Sequence, residues 1–288
     1  MRSHTLNWQG RQLVLGPATT IMGIVNVTPD SFSDGGRFHA VDAAVVHGEH
    51  LTRAGAAIID IGGESTRPFA ESVSAEEEIA RVVPVIEALS GKISVPISID
   101  TTKSEVAEAA IDAGAAIIND ISALQMDPRM AATAARLDVP VILMHMKGTP
   151  RTMQTDPVYE DVVAEVKAFL AQAAEKATAA GIDRSRIIID PGIGFGKTGA
   201  HNLKLIRHLA AFEDLDLPIL VGPSRKRFIR VILKGPSQTD LRPDRPEVET
   251  GTQAAVAAAI MNGAHIVRVH DVANTAAMVK VLDAIRSA

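Results

Sequence analysis

Eight short apolar runs, separated by longer segments of helical character, constrain the fold of this chain more than any other feature. Each run is rich in Ile and Val and too short to stand alone as a helix, which is typical of strands buried on both faces of a parallel sheet. The runs, in chain order, are TIMGIVNVT, AAIIDIGG, VPISIDTT, AAIINDIS, VPVILMHM, RIIIDPG, LPILVGPS and AHIVRVHD.

The segments between the runs are Ala-rich and carry charged residues at helical spacing, as SAEEEIARVVPVIEALSG does. Several end at a glycine of the kind found just past a helix C-terminus: Gly55, Gly114, Gly181 and Gly263. Strand–helix units repeated eight times predict an α/β protein with a (β/α)8 TIM barrel. An open doubly wound sheet is the main alternative.

The remaining segments fit one barrel domain. Residues 5–15 predict a short N-terminal β-hairpin that turns at Gln9-Gly10, and we expect residues 1–18 to close the bottom of the barrel. Residues 234–249, rich in Pro and Asp, predict an exposed insertion. No linker divides the 288 residues, so residues 1–288 are expected to form a single domain.

Composition excludes several classes of function. The chain has no cysteine, which rules out disulfides, cysteine nucleophiles and thiolate metal sites. A net charge of -5 argues against nucleic acid as a partner, so an anionic substrate must be held by local basic groups. The N-terminus lacks an apolar signal region and no run approaches the roughly 20 apolar residues of a membrane span. We therefore expect a cytoplasmic protein with no membrane partner.

Polar residues follow nearly every apolar run. In a parallel barrel all strand C-termini meet at one rim, where such enzymes build their active sites. A single Asp at a strand end is often only a helix cap, so that alternative stands at each position taken alone. The residues are Asn26, Asp60 with Glu64, Asp100, Asn119 with Asp120, His145, Asp190, Ser224 with Lys226, and Arg268 with His270.

Two groups among these residues suggest a ligand. Asp100, Asn119 and Asp190 end very apolar strands and must be hydrogen-bonded if buried. They suit the amino and amide edge of a flat heterocycle, although a private network of protein hydrogen bonds is the alternative. Arg268 and His270 alternate along one strand and suit a diphosphate, unless they are a structural Arg beside a core His.

Three segments add possible site residues. Lys226 lies in GPSRKRF at the start of a helix, a position that favours anions. Residues 26–38, with Phe32, are typical of a mobile lid, and residues 62–68 form a second glycine-opened loop carrying Arg67. His145 is equally consistent with a packed histidine and a catalytic one.

The stretch DPGIGFGKT resembles a phosphate-binding loop, but Pro191 stands where that motif requires the first glycine. An ATP site is therefore excluded. We interpret the glycines as letting the backbone lie close to a flat ring, with Lys197 as a solvated loop charge.

Eight motifs in order give the chain a resemblance to the dihydropteroate synthase family, the sulfonamide targets of folate biosynthesis. They are IMGIVNVTPDSFSDGG, DIGGESTRP, SIDTTKSEV, INDISAL, MHMKGTPRTMQ, DPGIGFGKT, GPSRKRF and RVHDV. The resemblance implies a TIM barrel, a homodimer and Mg²⁺. It also implies a transferase that joins 4-aminobenzoate to 7,8-dihydropterin-6-ylmethyl diphosphate, giving 7,8-dihydropteroate and diphosphate.

The resemblance also assigns roles to residues. It implies a pterin pocket, a diphosphate site and an aminobenzoate site, with Asn26 also on Mg²⁺ and with Asp100, Lys226, Arg268 and His270 as the catalytic group. The pterin pocket would comprise Asp100, Asn119, Asp190 and Lys226; the diphosphate site Asn26, Arg67, Arg268 and His270; and the aminobenzoate site Thr66, Pro68, Phe32, Phe195 and Lys226.

Three positions depart from the family pattern. Arg227 and Phe69 replace a serine and a glycine near the aminobenzoate site, and Arg230 replaces a glycine in what is expected to be a helix surface. Two alternative functions stand beside the synthase: a pterin-dependent methyltransferase and a non-catalytic pterin-binding homologue. Neither explains the diphosphate residues, because a methyltransferase needs no such anion site and a mere binder would have lost it.

Overall fold

The computed structural model describes residues 2–28, 36–65, 72–235 and 240–288, with the side chains of 36–39 left out. Several residues named above therefore lie outside the described part of the chain. They are Phe32, Thr66, Arg67, Pro68 and Phe69.

Strands and helices alternate along the described chain after an initial pair of strands. The strands are β1 (His4–Trp8), β2 (Arg11–Leu15), β3 (Thr20–Asn26), β4 (Ile58–Gly62), β5 (Ile97–Asp100), β6 (Ile117–Asp120), β7 (Val141–Met144), β8 (Ile187–Asp190), β9 (Leu220–Val221) and β10 (Ile266–Val269). The helices are α1 (Gly36–Arg53), α2 (Ala75–Ser90), α3 (Ser104–Asp112), α4 (Met130–Leu137), α5 (Val162–Ala179), α6 (Gly199–Arg207), α7 (Arg227–Leu233), α8 (Pro246–Met261) and α9 (Val272–Ser287).

The eight strands β3 to β10 form one parallel sheet in the order β8-β7-β6-β5-β4-β3-β10-β9. A parallel bridge between Ile189 and Ile219 joins the two outer strands, and the Ile189 N–H donates to the Pro218 carbonyl at 2.9 Å. The sheet therefore curls into a barrel, which confirms the predicted TIM barrel and excludes the open sheet. All eight predicted runs contain a barrel strand.

The apolar runs are buried because each strand faces the barrel interior on one side and helices on the other. β4, β6, β7 and β8 are buried at every position. One continuous cluster of buried apolar side chains extends from Leu6 to Val279. The predicted helix-terminating glycines are confirmed, since they follow α1, α3, α5 and α8 with positive φ: Gly55, Gly114, Gly181 and Gly263.

The N-terminal hairpin is confirmed as an antiparallel pair of β1 and β2 with its turn at Gln9-Gly10. Both turn residues have positive φ, 47° and 75°, as a tight two-residue hairpin turn requires. The Gln9 amide donates to the Leu137 carbonyl at the end of α4, and the Arg186 guanidinium donates to the Asn7 carbonyl just before β8. The hairpin therefore lies at the amino-terminal end of the barrel, opposite the rim.

The segment between α7 and α8 is exposed over residues 242–246, but it is tied back to the barrel at its described start. Arg230 donates to the Asp240 carboxylate at 2.6 Å and to the Leu241 carbonyl at 3.0 Å, and only 18% of its side chain is exposed. The expectation that Arg230 is a simple surface residue is wrong, because it fastens this segment to α7. No helix in the described part of the chain is long and apolar enough to cross a membrane.

Candidate active site

Four side chains from four strands of the barrel form one hydrogen-bonded network at the rim. The Arg268 Nε of β10 donates to Asp60 Oδ2 of β4 at 2.6 Å, and its Nη2 donates to Asp100 Oδ2 of β5 at 2.8 Å. The Asn119 amide of β6 donates to Asp60 Oδ2 at 3.2 Å. The network therefore combines two carboxylates, one guanidinium and one amide within the barrel mouth.

Neighbouring strands bring these residues together. β4 pairs with β5 and β5 pairs with β6, with Gly62 opposite Asp100 and Asp100 opposite Asn119. Asp60 is fully buried, and a buried carboxylate is tolerated only when it is paired and hydrogen-bonded. Arg268 and Asn119 meet that requirement.

Asp60 was listed among the polar residues of the rim, but no role in a ligand site was predicted for it. The available signal was an Asp inside the otherwise apolar run IIDIG, whose remaining residues are all buried. A polar residue that a sheet buries needs a partner, and here the partners are site residues. Glu64, listed with Asp60 at the same strand end, has different partners: it binds Lys103, which in turn binds Glu78 at 2.6 Å.

The surroundings of Asp100 raise the pKa of its carboxyl group. Burial raises the pKa of Asp100 to about 7, Arg268 opposes that rise, and the neighbouring Asp60 adds to it. The acid form of the side chain is thus favoured more than in a solvated aspartate. It is able either to accept or to donate a hydrogen bond toward a ligand.

Asp190 and Lys226 lie beside this network. Asp190 is 6% exposed, and its Oδ1 accepts the Gly192 N–H at 2.7 Å. Burial raises the pKa of Asp190 to about 6, while burial and the nearby Arg268 lower the pKa of Lys226 to about 8. The Lys226 ammonium lies 4.0 Å from the centre of the Phe195 ring, within the range of a cation–π interaction.

The four residues predicted to bind the diphosphate have different surroundings in the structure. Arg268 already binds two carboxylates, which occupy two of the five N–H donors of its guanidinium. The His270 ring lies against the loop after β9, with Nδ1 2.9 Å from Ser224 Oγ. Asn26 is exposed at the end of β3. Arg67, the fourth, lies outside the described residues.

The glycines of DPGIGFGKT serve close packing of the protein on itself. Gly192, Gly194 and Gly196 all have positive φ. A Cβ on Gly192 would lie 1.9 Å from the His145 carbonyl oxygen, and one on Gly194 would lie 2.9 Å from Lys226 Cδ. Packing of the protein on itself therefore requires these glycines, and contact of their backbone with a flat ring stays a prediction.

Lys197 is buried, with 3% of its surface exposed, so the prediction of a solvated loop charge is wrong. Its Nζ lies 2.9 Å from His145 Nδ1 and from the Phe195 carbonyl oxygen. Burial lowers the pKa of Lys197 to about 7 and, with help from the Lys197 charge, lowers the pKa of His145 to about 3. His145 is therefore a neutral, internally bonded histidine that packs edge-on against Phe169.

Asp120 is bound within the turn that follows β6, where no helix begins. The Asp120 carboxylate accepts from the Ser122 hydroxyl and N–H and from the Leu124 N–H. Arg227, which replaces a serine of the family pattern, is exposed. Arg225 instead binds Glu249 at 3.3 Å and adopts a positive φ of 58°.

The chain belongs to the pterin-binding enzyme family, whose family model matches residues 22–270. The match agrees with the family resemblance that the eight sequence motifs gave.

Within that family the chain is one of the dihydropteroate synthases. The Synechocystis dihydropteroate synthase is 47% identical over 270 residues, covering 94% of this chain and 91% of that protein. The Escherichia coli enzyme is 47% identical over 269 residues, covering 93% of this chain and 92% of that protein. A Xanthomonas albilineans dihydropteroate synthase with 4-aminobenzoic acid superposes with a TM-score of 0.91 at 46% identity over the full length of both chains. A Yersinia pestis dihydropteroate synthase with a sulfonamide drug complex gives a TM-score of 0.90 at 43% identity, covering 99% of this chain and 100% of that chain.

The raised pKa of Asp190 predicts a pH-dependent stability difference between the wild type and Asp190→Asn. A carboxyl group whose pKa is higher in the folded state stabilises the fold below its unfolded pKa, and that contribution is lost as pH rises through the folded pKa. Between about pH 4 and pH 7, the free energy of unfolding of the wild type should fall relative to the variant by roughly 2–3 kcal/mol. Urea denaturation across this range measures the difference.

Asp183→Asn provides a control of opposite sign. Hydrogen bonds from the Ser185 N–H and hydroxyl lower the pKa of Asp183, so its contribution to stability should grow as pH rises. A difference between wild type and Asp190→Asn that stays constant with pH would contradict the assigned pKa shift.

Proposed function

We propose that the rim network acts as the pterin pocket in a synthase that forms 7,8-dihydropteroate for folate biosynthesis. The reaction itself follows from membership of the dihydropteroate synthase family. A Xanthomonas albilineans member has been solved in complex with 7,8-dihydropteroate, and it superposes with a TM-score of 0.86 at 44% identity over 99% of each chain. The network of Arg268, Asp60, Asp100 and Asn119 is the observation that carries the residue assignment.

The pterin contacts are assigned to the buried polar groups. Asp190 uses one carboxylate oxygen to accept the Gly192 N–H, which leaves its second oxygen for the amino and amide edge of the ring. Asn119 and Asp100 are fixed by Asp60 and Arg268 respectively, so their orientation is set before a ligand enters. Such preorganisation is what discriminates a matched heterocycle from a mismatched one.

The diphosphate is assigned to Arg268, His270, Asn26 and Arg67. Arg268 keeps three N–H donors beyond those that bind Asp60 and Asp100, and it can therefore contact pterin-pocket residues and the leaving group together. Its positive charge stabilises the charge that develops on the departing diphosphate. Lys226 adds a second cation within the electrostatic reach of Asp190 and Asp100.

Mg²⁺ is proposed as the metal, with Asn26 as its protein ligand. Asn26 offers one exposed side-chain oxygen, and the described residues contain no group of three or more His, Cys, Asp or Glu placed to hold a metal. This donor set fits Mg²⁺, which keeps several waters and is commonly held by one or two protein oxygens together with substrate phosphates. When bound, the ion would neutralise charge on the diphosphate.

The chemical step needs little proton transfer from the protein. The bond between the methylene carbon and the diphosphate oxygen breaks, and the aminobenzoate nitrogen bonds to the same carbon. The pterin ring delocalises positive charge on that carbon, and an arylamine is neutral at pH 7. The departing diphosphate can take the amine proton, so the role of the chain is to bind, orient and stabilise charge.

The aminobenzoate site is assigned to Phe195 and Lys226, together with Thr66, Pro68 and Phe32. Phe195 is 8% exposed and packs with Ile121, Met144 and Met153 in a small apolar cluster beside Lys226. An aromatic wall next to a cation suits a flat aromatic carboxylate.

The test of the function is diphosphate release by the purified chain with dihydropterin diphosphate, 4-aminobenzoate and Mg²⁺. We expect release to depend on aminobenzoate and to match dihydropteroate formation measured by mass spectrometry. Chelation by EDTA should suppress it and added Mg²⁺ should restore it. Release without aminobenzoate, or none at all, would contradict the assignment of function.

Arg268→Ala is predicted to weaken binding of the pterin alone by about 10-fold and of the pterin diphosphate by about 100-fold or more. The first loss reflects the two carboxylates left without their partner, and the second adds the lost diphosphate contact. Calorimetry with 6-hydroxymethyl-7,8-dihydropterin and with its diphosphate measures both. Equal losses for the two ligands would remove Arg268 from the diphosphate site.

A homodimer is proposed on the surface formed by α6, α7 and α8, which contact one another. Large apolar side chains are exposed there, as at protein–protein interfaces. They are Leu203 (48%), Val231 (43%), Ile232 (60%), Leu233 (40%) and Met261 (57%).

Ile232→Glu is expected to halve the mass measured by sedimentation velocity, because it places a charge in that apolar surface. Val46→Glu, an equally exposed apolar position on α1, is the matched control and should leave the mass unchanged. A wild-type chain that sediments as a monomer would refute the dimer.

A cytoplasmic location is proposed as well, since the expected substrates are small metabolites, and cell fractionation would test it.

A further inference from the structure

Lys197 is a buried lysine that the proposed chemistry does not use. A lysine ammonium has three N–H donors, and three acceptors surround this one. Its Nζ lies 2.9 Å from His145 Nδ1, 2.9 Å from the Phe195 carbonyl oxygen and 3.3 Å from the His145 carbonyl oxygen. The ammonium is thus fully partnered by two segments of the rim, one after β7 and one after β8.

The loop after β8 is held by further polar contacts along its length. The Gln154 amide donates to the Gly194 carbonyl at 2.6 Å, and the Tyr159 hydroxyl donates to the Gly196 carbonyl at 2.8 Å. The Gly194 N–H donates to Asn202 at 2.7 Å. These contacts hold Gly194 and Gly196, on either side of Phe195. The Lys197 ammonium binds the carbonyl of Phe195 itself.

The position of that carbonyl matters because it fixes the backbone from which the Phe195 ring projects. The ring lies beneath the Lys226 ammonium at 4.0 Å and contacts the apolar cluster of Ile121, Met144 and Met153. A rotation of the Phe195 peptide would move the ring relative to Lys226. The tether therefore acts on a side chain at the site without touching a substrate.

We propose that Lys197 is a positioning residue that sets the Phe195 ring for 4-aminobenzoate by tying the Phe195 carbonyl to His145. The inference rests on the proposed assignment of Phe195 to the aminobenzoate site. Burying an ammonium is costly, and a lysine that served only solubility would remain at the surface.

Lys197→Met removes the three donors while keeping a flexible chain of similar length. We expect KM for aminobenzoate to rise by at least about 10-fold, because the Phe195 and His145 carbonyls lose their shared donor. KM for the pterin diphosphate should rise by a smaller factor, about threefold or less, since the hydrogen bonds of Asp190 and Asn119 are made with Gly192 and Asp60 and Lys197 acts on Asp190 only through its charge.

Lys204→Met is the matched control, because it removes a lysine of α6 whose side chain is 48% exposed and whose partner is Asp161 at the surface. Both KM values should stay at the wild-type level. Lys197→Gln is measured in parallel, because its amide keeps a hydrogen-bond donor in the buried site. If Lys197→Met does not fold, the KM for aminobenzoate of Lys197→Gln tests the role of Lys197. Thermal denaturation establishes that each variant is folded.

Phe195→Leu tests the assignment of Phe195 to the aminobenzoate site separately from the role of Lys197. If this variant raises KM for aminobenzoate while the folded Lys197 variants do not, the role of Lys197 is overturned and the site assignment stands. A rise of both KM values by the same factor in the Lys197 variants would also overturn it, because that result indicates general loosening of the rim. An unchanged KM in Phe195→Leu would overturn the Phe195 assignment itself.

Discussion

The sharing of Arg268 between two buried carboxylates is the interaction on which the rest of the rim depends. Asp60 and Asp100 are neighbours on adjacent strands, and without a cation between them two charges of the same sign would face one another out of water. The guanidinium resolves this conflict, and Asn119 then takes its orientation from Asp60. Four of the barrel strands are connected through polar side chains at the end where a ligand is expected.

Burial at the rim also shifts the pKa values of the charged side chains around the network. Burial pushes the pKa of Asp100 and Asp190 upward and that of Lys226 downward, so acids and bases in the mouth of the barrel approach one another in pKa. Such a site can donate and accept hydrogen bonds at neutral pH without large changes in charge. This suits recognition of a heterocycle whose edge carries both donors and acceptors, and it suits a reaction that demands charge stabilisation more than proton transfer.

Loop packing completes one wall of the site. Glycines at 192 and 196 allow the segment after β8 to lie directly against the backbone of residues 145–147, closer than any side chain would permit. Lys197 occupies the seam between these two segments, and Phe195 projects from it toward Lys226. The resemblance to a phosphate loop thus reflects tight backbone packing and a buried lysine, both of which differ from nucleotide binding.

Much of the fold followed from local pattern. Buried parallel strands must be continuously apolar, so the eight Ile- and Val-rich runs located β3 to β10, and turn chemistry at Gln9-Gly10 located the hairpin. Their positions at the ends of the apolar runs placed Asp100, Asn119, Asp190, Lys226 and Arg268 at the rim, and the family motifs assigned their roles. The partners of Asp60 were not predicted, because one Asp inside an apolar strand has no local signature of what it binds. The role of Arg230 was missed because its partners lie ten and eleven residues away across a loop.

By itself, the sequence determined that this chain forms a barrel of parallel strands with its polar residues at one rim, because strand periodicity and chain polarity are local properties. Only the tertiary structure decided which of those residues bind one another. Arg268 is 208 residues from Asp60 and 168 from Asp100, and Lys197 is 52 residues from His145. Whether a charge is solvated or buried depends on such distant neighbours, which is why Lys197 looked like a surface lysine until the barrel enclosed it.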